Sequence, residues 1–280
     1  PDLAERIQVA MLNVMEERDI QIRGYVLRLP LDVLVVASAN PEDYTNRGRI
    51  ITPLKDRFGA EIRTHYPVEL IDEVAVVRQE SHLVAAVPDV LIEILARFTR
   101  GLRESNAVDQ RSGVSARFSI AGAETVAASA LHRATTRGES EAVSRVVDLE
   151  TAVDVLGGKV EFEAGEEGRE QAVLQHLLRT ATAETVREHF RGIDFAPLTE
   201  ALDGGVLIVT GEQVTAEELL GELPELAPGE NGLTLYDEIC ERLRATSVGE
   251  QASAIELALE GLYLARKIAK DSDGARTVYG

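Results

Sequence analysis

Asn40, Arg57 and Arg117 are the side chains whose type and placing could do chemistry. Asn40 ends the apolar run Leu34-Val-Val-Ala-Ser-Ala-Asn-Pro41, and Arg57 follows seventeen residues later in Leu54-Lys-Asp-Arg-Phe58. Arg117 closes the segment Ser112-Gly-Val-Ser-Ala-Arg117. A neutral amide can hold a water molecule, and a guanidinium can neutralise developing negative charge. Each residue also has a plainer reading: a turn at Asn40-Pro41, a surface ion pair at Arg57, a solvated helix end at Arg117.

The motifs that would complete such a site are missing from these 280 residues. A phosphate cradle of the form G-x-x-x-x-G-K-[ST] wraps phosphates in backbone N–H groups. The one Gly-Lys pair, Gly158-Lys159, is followed by Val160, and Val153 stands where the first glycine belongs. Two runs mimic an apolar strand ending in magnesium-binding acids, Val68–Glu73 and Leu233–Glu238. Glu69 interrupts the first, and the second continues into Ile239 and Leu243 at helical spacing, so both read as helix starts. The five histidines are scattered, and none pairs with another His or with Cys240 at metal-ligand spacing.

Hydrophobic residues make up 45% of the chain, which excludes global disorder, and the length suggests roughly two domains. A lone cysteine excludes a disulfide framework and fits a reducing, cytoplasmic setting. No apolar run approaches the ~20 residues of a membrane span. The net charge of −19 is unevenly placed: 9 basic and 11 acidic residues in 1–70, 8 and 9 in 71–140, and 12 and 28 in 141–280. The last segment repels nucleic acid and suits a basic protein partner.

The elements that must position the three residues follow from periodicity. Leu3, Ile7, Met11 and Val14 mark an amphipathic helix with Asp2 as its cap. The stretch 19–30 alternates about Arg23-Gly24 as a β-hairpin closed by Pro30. Leu31–Ser38 reads as a central parallel strand covered on both faces. From Val68 the period is helical, with helices expected around Val74–Val84, Val90–Leu102, 115–136, Val143–Leu156, 168–192 and 250–270. A short strand falls within Gly204–Gly211, a loop over Leu223–Gly232, and a frayed polar tail from Asp271.

Taken in order, residues 1 to about 140 resemble the second half of an AAA+ ATPase, closest to the ATPase subunit of magnesium chelatase and the MoxR-like proteins. In that family a helix and a β-hairpin precede a sensor 1 strand ending in Ala-Asn-Pro, matched by Ala39-Asn40-Pro41. A Leu-x-Asp-Arg-Phe motif carries the arginine finger, matched at Leu54–Phe58, with Arg47 and Arg49 as alternatives. A sensor 2 arginine starts a lid helix, matched by Arg117. The sigma-54-dependent activators share this order, but the charge of 141–280 argues against their DNA-binding terminus.

The resemblance implies an α/β core followed by all-α structure. The core part would cover 1–70, a helical lid 71–140, and an acidic, mainly helical domain 141–280. It implies Asn40 and Arg57 as catalytic residues and Arg117 as nucleotide-binding, acting on ATP with Mg²⁺ in a ring oligomer, a hexamer. The ring's partner would be a chelatase complex or a protein with a von Willebrand A domain. The phosphate cradle and acidic strand of such ATPases precede the helix and hairpin, so a fragment of a longer protein is expected. A non-catalytic interaction module is the alternative.

Overall fold

The computed structural model describes residues 4–28, 34–39, 50–109, 112–229, 232–273 and 275–280. These fall into two units, Pro1–His65 and Tyr66–Gly280.

In the first unit, helix α1 (Glu5–Glu16) leads into a hairpin of β1 (Asp19–Ile22) and β2 (Tyr25–Arg28). The turn places both Arg23 and Gly24 at positive φ, 50° and 86°. That is the backbone of a type I′ turn, whose twist matches the flanking strands. The expected stripe on α1 is only partly covered: Ile7 is exposed and Gln8 is the buried residue. The Gln8 Oε1 accepts a 2.8 Å bond from the Ile51 amide, at the start of a one-turn helix α2 (Thr52–Lys55), whose Leu54 is buried.

The central strand expected over Leu31–Ser38 is not found where the structure describes it. Residues 34–39 have no regular structure, and Leu34 and Val36 are 90% and 84% exposed. Among the described residues of this unit the only strands are the hairpin pair, and they bond each other. An apolar segment with no neighbouring strand has neither ladder partners nor a surface to bury against.

The second unit is built on helices α3 (Leu70–Glu80), α4 (Asp89–Glu104), α5 (Ala116–Arg137), α6 (Val146–Leu156) and α7 (Glu170–His189). After α8 (Ala196–Asp203) and strand β3 (Ile208–Thr210) come α9 (Ala216–Gly221), α10 (Leu235–Leu243) and α11 (Val248–Leu264). Strands β4 (Lys270–Asp273) and β5 (Arg276–Tyr279) complete a small antiparallel sheet ordered β3-β5-β4. The expected helix starts at Asp72-Glu73 and Asp237-Glu238 are the first turns of α3 and α10.

Helices α4 and α11 form the core. Helix α4 packs against α3, α5 and α7, while α11 packs against α6, α7, α9 and α10. Every residue of α11 from Ala252 to Leu262 is buried, as befits a helix surrounded by others. His189 and Glu93, 2.8 Å apart, tie the end of α7 to α4. No helix among the described residues is long and apolar enough to cross a membrane.

Two expectations differ here. No boundary falls at 140, because α5 and α6 pack on each other and share buried polar groups. The tail is not frayed: β5 is the central strand of its sheet. Tyr279 is 1% exposed, and its hydroxyl donates a 2.6 Å bond to Glu260 on α11.

Gly261 of α11 offers a test of this packing. A methyl group there would overlap the Val186 side chain on α7, and Val186 is β-branched and cannot rotate freely within a helix. Helix propensity favours Gly261→Ala by about 1 kcal/mol, but overpacking costs roughly 1–3 kcal/mol. We expect Gly261→Ala to lower the urea midpoint, and Val186→Ala to restore part of the loss when added. A midpoint raised by Gly261→Ala alone would contradict the packing.

Candidate functional site

Of the residues singled out by the sequence, Asn40, Arg47 and Arg49 lie outside the described residues. Arg57 and Arg117 are described, one in each unit.

Arg57 follows α2, its amide donating to the Leu54 carbonyl as the helix closes. Its guanidinium grips Glu16, the last residue of α1. The Nη2 donates to both carboxylate oxygens, at 2.8 and 2.9 Å, and Nε reaches Oε2 at 3.3 Å. A carboxylate at a helix C-terminus is disfavoured by the helix dipole, and the guanidinium offsets that. The bond to Glu16, and then its charge, push the Arg57 pKa further up. The pair is solvent-exposed, with Arg57 at 39% and Glu16 at 51%, so it contributes little to stability. It does set the direction in which Arg57 points.

Arg117 is exposed in the first turn of α5, after the N-cap Ser115. A cation at a helix N-terminus is opposed by the dipole, and Arg117 makes no ion pair with a described residue. Helix stability therefore does not explain it. What holds it in place lies just upstream. Arg103 of α4 donates through Nε to the Val114 carbonyl at 2.6 Å. Its Nη1 and Nη2 bond both oxygens of the fully buried Glu73, and its guanidinium stacks 4.0 Å over the Tyr66 ring. Gly113, at φ 66°, lets the chain pass the Tyr66 hydroxyl, which a Cβ would approach to 2.9 Å. Glu73, read from sequence only as a helix start, is the anchor of this cradle.

Sequence reasoning missed a buried ionic cluster. Asp148 of α6 accepts from Ser129 Oγ at 2.8 Å, Arg133 Nη2 at 2.9 Å and the Arg145 amide at 2.8 Å. Arg133 also donates to Glu139 and to the Val143 carbonyl. Arg145, fully buried, sends Nη2 to the carbonyls of Gly211 and Val214 at 2.8 and 2.7 Å. Its Nε stands 3.4 Å from Glu256 Oε2 on α11, without a hydrogen bond. The one available signal was Arg145 and Asp148 at N-cap and N3 of α6, a reciprocal capping pair. Nothing local marks Glu256 as a neighbour.

Arg133 and Arg145 supply two positive charges, balanced by Glu139 and Asp148. Ionised, Glu256 would leave the cluster at −1. Burial pushes the Glu256 pKa up, against the attraction of Arg145, and the nearby Asp148 adds to the rise. Arg133, Arg145, Asp148 and Glu256 are buried, and the cluster locks the elements that carry them together. No group of three or more His, Cys, Asp or Glu side chains able to hold a metal occurs among the described residues. No protein-family model matches the chain, and no curated protein or solved structure matches it.

The raised pKa fixes a sign. Between the unfolded glutamate pKa of about 4.3 and its higher folded value, the folded chain holds a proton that the unfolded chain has lost. Stability from Glu256 is thus present at acidic pH and is lost as pH rises through the folded value. Glu256→Gln should flatten that part of the pH–stability curve and leave the protein at least as stable at neutral pH. Denaturant titrations across the pH range check this. A large loss at neutral pH would mean that Glu256 is ionised and paired.

Proposed function

We propose that this chain is part of a AAA+ ATPase of the magnesium-chelatase and MoxR-like kind, coupling ATP hydrolysis in a ring oligomer to the remodelling of a partner. What supports the reading is Arg57: an exposed guanidinium just after a one-turn helix, aimed by Glu16 at the end of the helix that precedes the hairpin. The cradle that delivers Arg117 to a helix start is consistent with it.

These residues do not make a complete site for ATP and Mg²⁺. The sequence has no phosphate cradle, and the described residues hold no metal cluster. What the chain contributes to the proposed reaction is positive charge from Arg57 and Arg117 and an amide at Asn40. The partner belongs to the proposal too, as a chelatase complex or a protein with a von Willebrand A domain. A second reading, a non-catalytic interaction module, is favoured by one observation: the segment 34–39 is exposed and apolar rather than a core strand.

The readings part on mutation. In the native protein, together with whatever chain segment supplies the phosphate cradle, Arg57→Ala should lower kcat by roughly 10³-fold with nucleotide affinity nearly unchanged. Asn40→Ala should act in the same direction more mildly. Normal turnover in Arg57→Ala, with loss in Arg49→Ala, would move the finger to Arg49. No nucleotide hydrolysis by the native protein would leave the interaction module. The 280-residue chain by itself should show no micromolar ATP binding by calorimetry.

A further inference from the structure

Tyr66 is the first residue of the second unit. The chain that reaches it is open: residues 60–67 have no regular structure, and 59–66 are all exposed. Burial does not hold this stretch. Two arginines one turn apart on α4 do. Arg103 lays its guanidinium 4.0 Å over the Tyr66 ring, and Arg100 Nη1 donates to the Val68 carbonyl at 3.0 Å. Tyr66 is itself 46% exposed, so its ring adds little to the core.

The same guanidinium fixes a second segment. Glu73 is fully buried and takes a bond from each outer nitrogen of Arg103, and such a two-point grip leaves the guanidinium plane one orientation. The Tyr66 ring lies on the face of that plane, and the Val114 carbonyl meets its Nε edge at 2.6 Å. The Val114 side chain is 2% exposed. Burial therefore pins the turn, and the bond to Arg103 sets how its peptide is rotated. Gly113, at φ 66°, brings the backbone so close to the Tyr66 hydroxyl that a Cβ would stand 2.9 Å from it. One residue beyond this turn comes Ser115, the N-cap of α5, and two further on comes the exposed Arg117.

We propose that Arg103 and Tyr66 are positioning residues that couple the connecting chain to Arg117. A displacement of the connecting chain moves the Tyr66 ring, which lies against both the Arg103 plane and the Gly113 backbone. The turn at Gly113–Ser115 then shifts, and with it the point from which α5 presents Arg117. Coupling of this kind is reciprocal, so an anion that engages Arg117 also steadies Tyr66. That the anion is a nucleotide phosphate rests on the ATPase reading; the coupling itself does not. If the Glu73–Arg103 pair were no more than a buried tie, the exposed ring of Tyr66 would be dispensable.

The test is amide hydrogen exchange in the 280-residue chain at Ser112, Gly113 and Phe118, whose N–H groups bond the carbonyls of Asp109 and Ser115. Tyr66→Ala should speed exchange at these three amides about five-fold or more, with the urea midpoint nearly unchanged. Tyr66→Phe keeps the ring and should restore most of the protection. Arg103→Lys keeps a charge opposite Glu73 but has neither the fork nor the flat face. It should speed the same amides with Tyr66 in place, and adding Tyr66→Ala to it should change little more. In the native protein Tyr66→Ala should raise the KM for ATP with kcat nearly unchanged, and should add nothing to Arg117→Ala. Wild-type exchange at the three amides in Tyr66→Ala overturns the proposal. So does an equal rise throughout the helices of the second unit, which would make the ring a matter of stability alone. A KM raised as much by Tyr66→Ala in the Arg117→Ala background as in the wild type also overturns it. Faster exchange in Tyr66→Ala together with an unchanged KM in Arg117→Ala supports the coupling and removes nucleotide as the ligand of Arg117.

Discussion

The second unit depends on the burial of Asp148. Its two carboxylate oxygens take three hydrogen bonds, two from side chains of α5 and one from the Arg145 amide in the segment that leads into α6. Through Arg133 and Arg145 the same charge reaches Glu139, the carbonyls of Val143, Gly211 and Val214, and the neighbourhood of α11. Removing one member of such a buried set typically costs about 3–5 kcal/mol, because the others are left charged without a partner. Replacing the whole set by well-packed apolar groups could be neutral. What the cluster supplies, then, is a specified arrangement: α6 can pack on α5 in only one register if Asp148 is to find its donors.

The rest of the unit is arranged around that constraint. Once α5 and α6 are joined, residues on either side of position 140 share a core, and the acidic half of the chain has no separate interior to form. The acids it carries are therefore divided by location. Glu256 and Glu260 point inward from α11 to Arg145 and to Lys270 with Tyr279, while the acids of α8 and α9 stay in solvent. Glu73 and Arg103 repeat the pattern on a smaller scale, one buried carboxylate fixing the loop that begins α5.

Among its described residues the first unit has no comparable interior. Leu54 and Gln8 are the buried residues that hold α2 to α1, and Arg57 with Glu16 aligns them from the exposed side. Among the described residues the hairpin from Ile22 to Arg28 and Arg57 are displayed to solvent rather than enclosed. Surface ion pairs exchange partners at little cost. The bond that orients Arg57 in this structure does not prevent it from turning to another anion.

Local pattern was enough to place much of this. The hairpin was legible because alternation about Arg23-Gly24 needs only its own turn and ladder. The helices from α3 to α7 and α10 were legible because apolar spacing and capping acids are written within one turn of chain. Arg117 at a helix start belongs to the same class. Three features were decided only by tertiary structure. An apolar run such as Leu34–Ala39 becomes a core strand only if neighbouring strands are there to bond it, which its own residues do not say. Arg276–Tyr279 became a central strand, not a loose tail, because β3 and α11 lie beside it. The partners of Asp148 and Arg145 come from as far as Glu256, and sequence spacing holds no trace of a contact made through folding. Backbone preference acts over a few residues, whereas burial and charge pairing act on whatever the fold brings together.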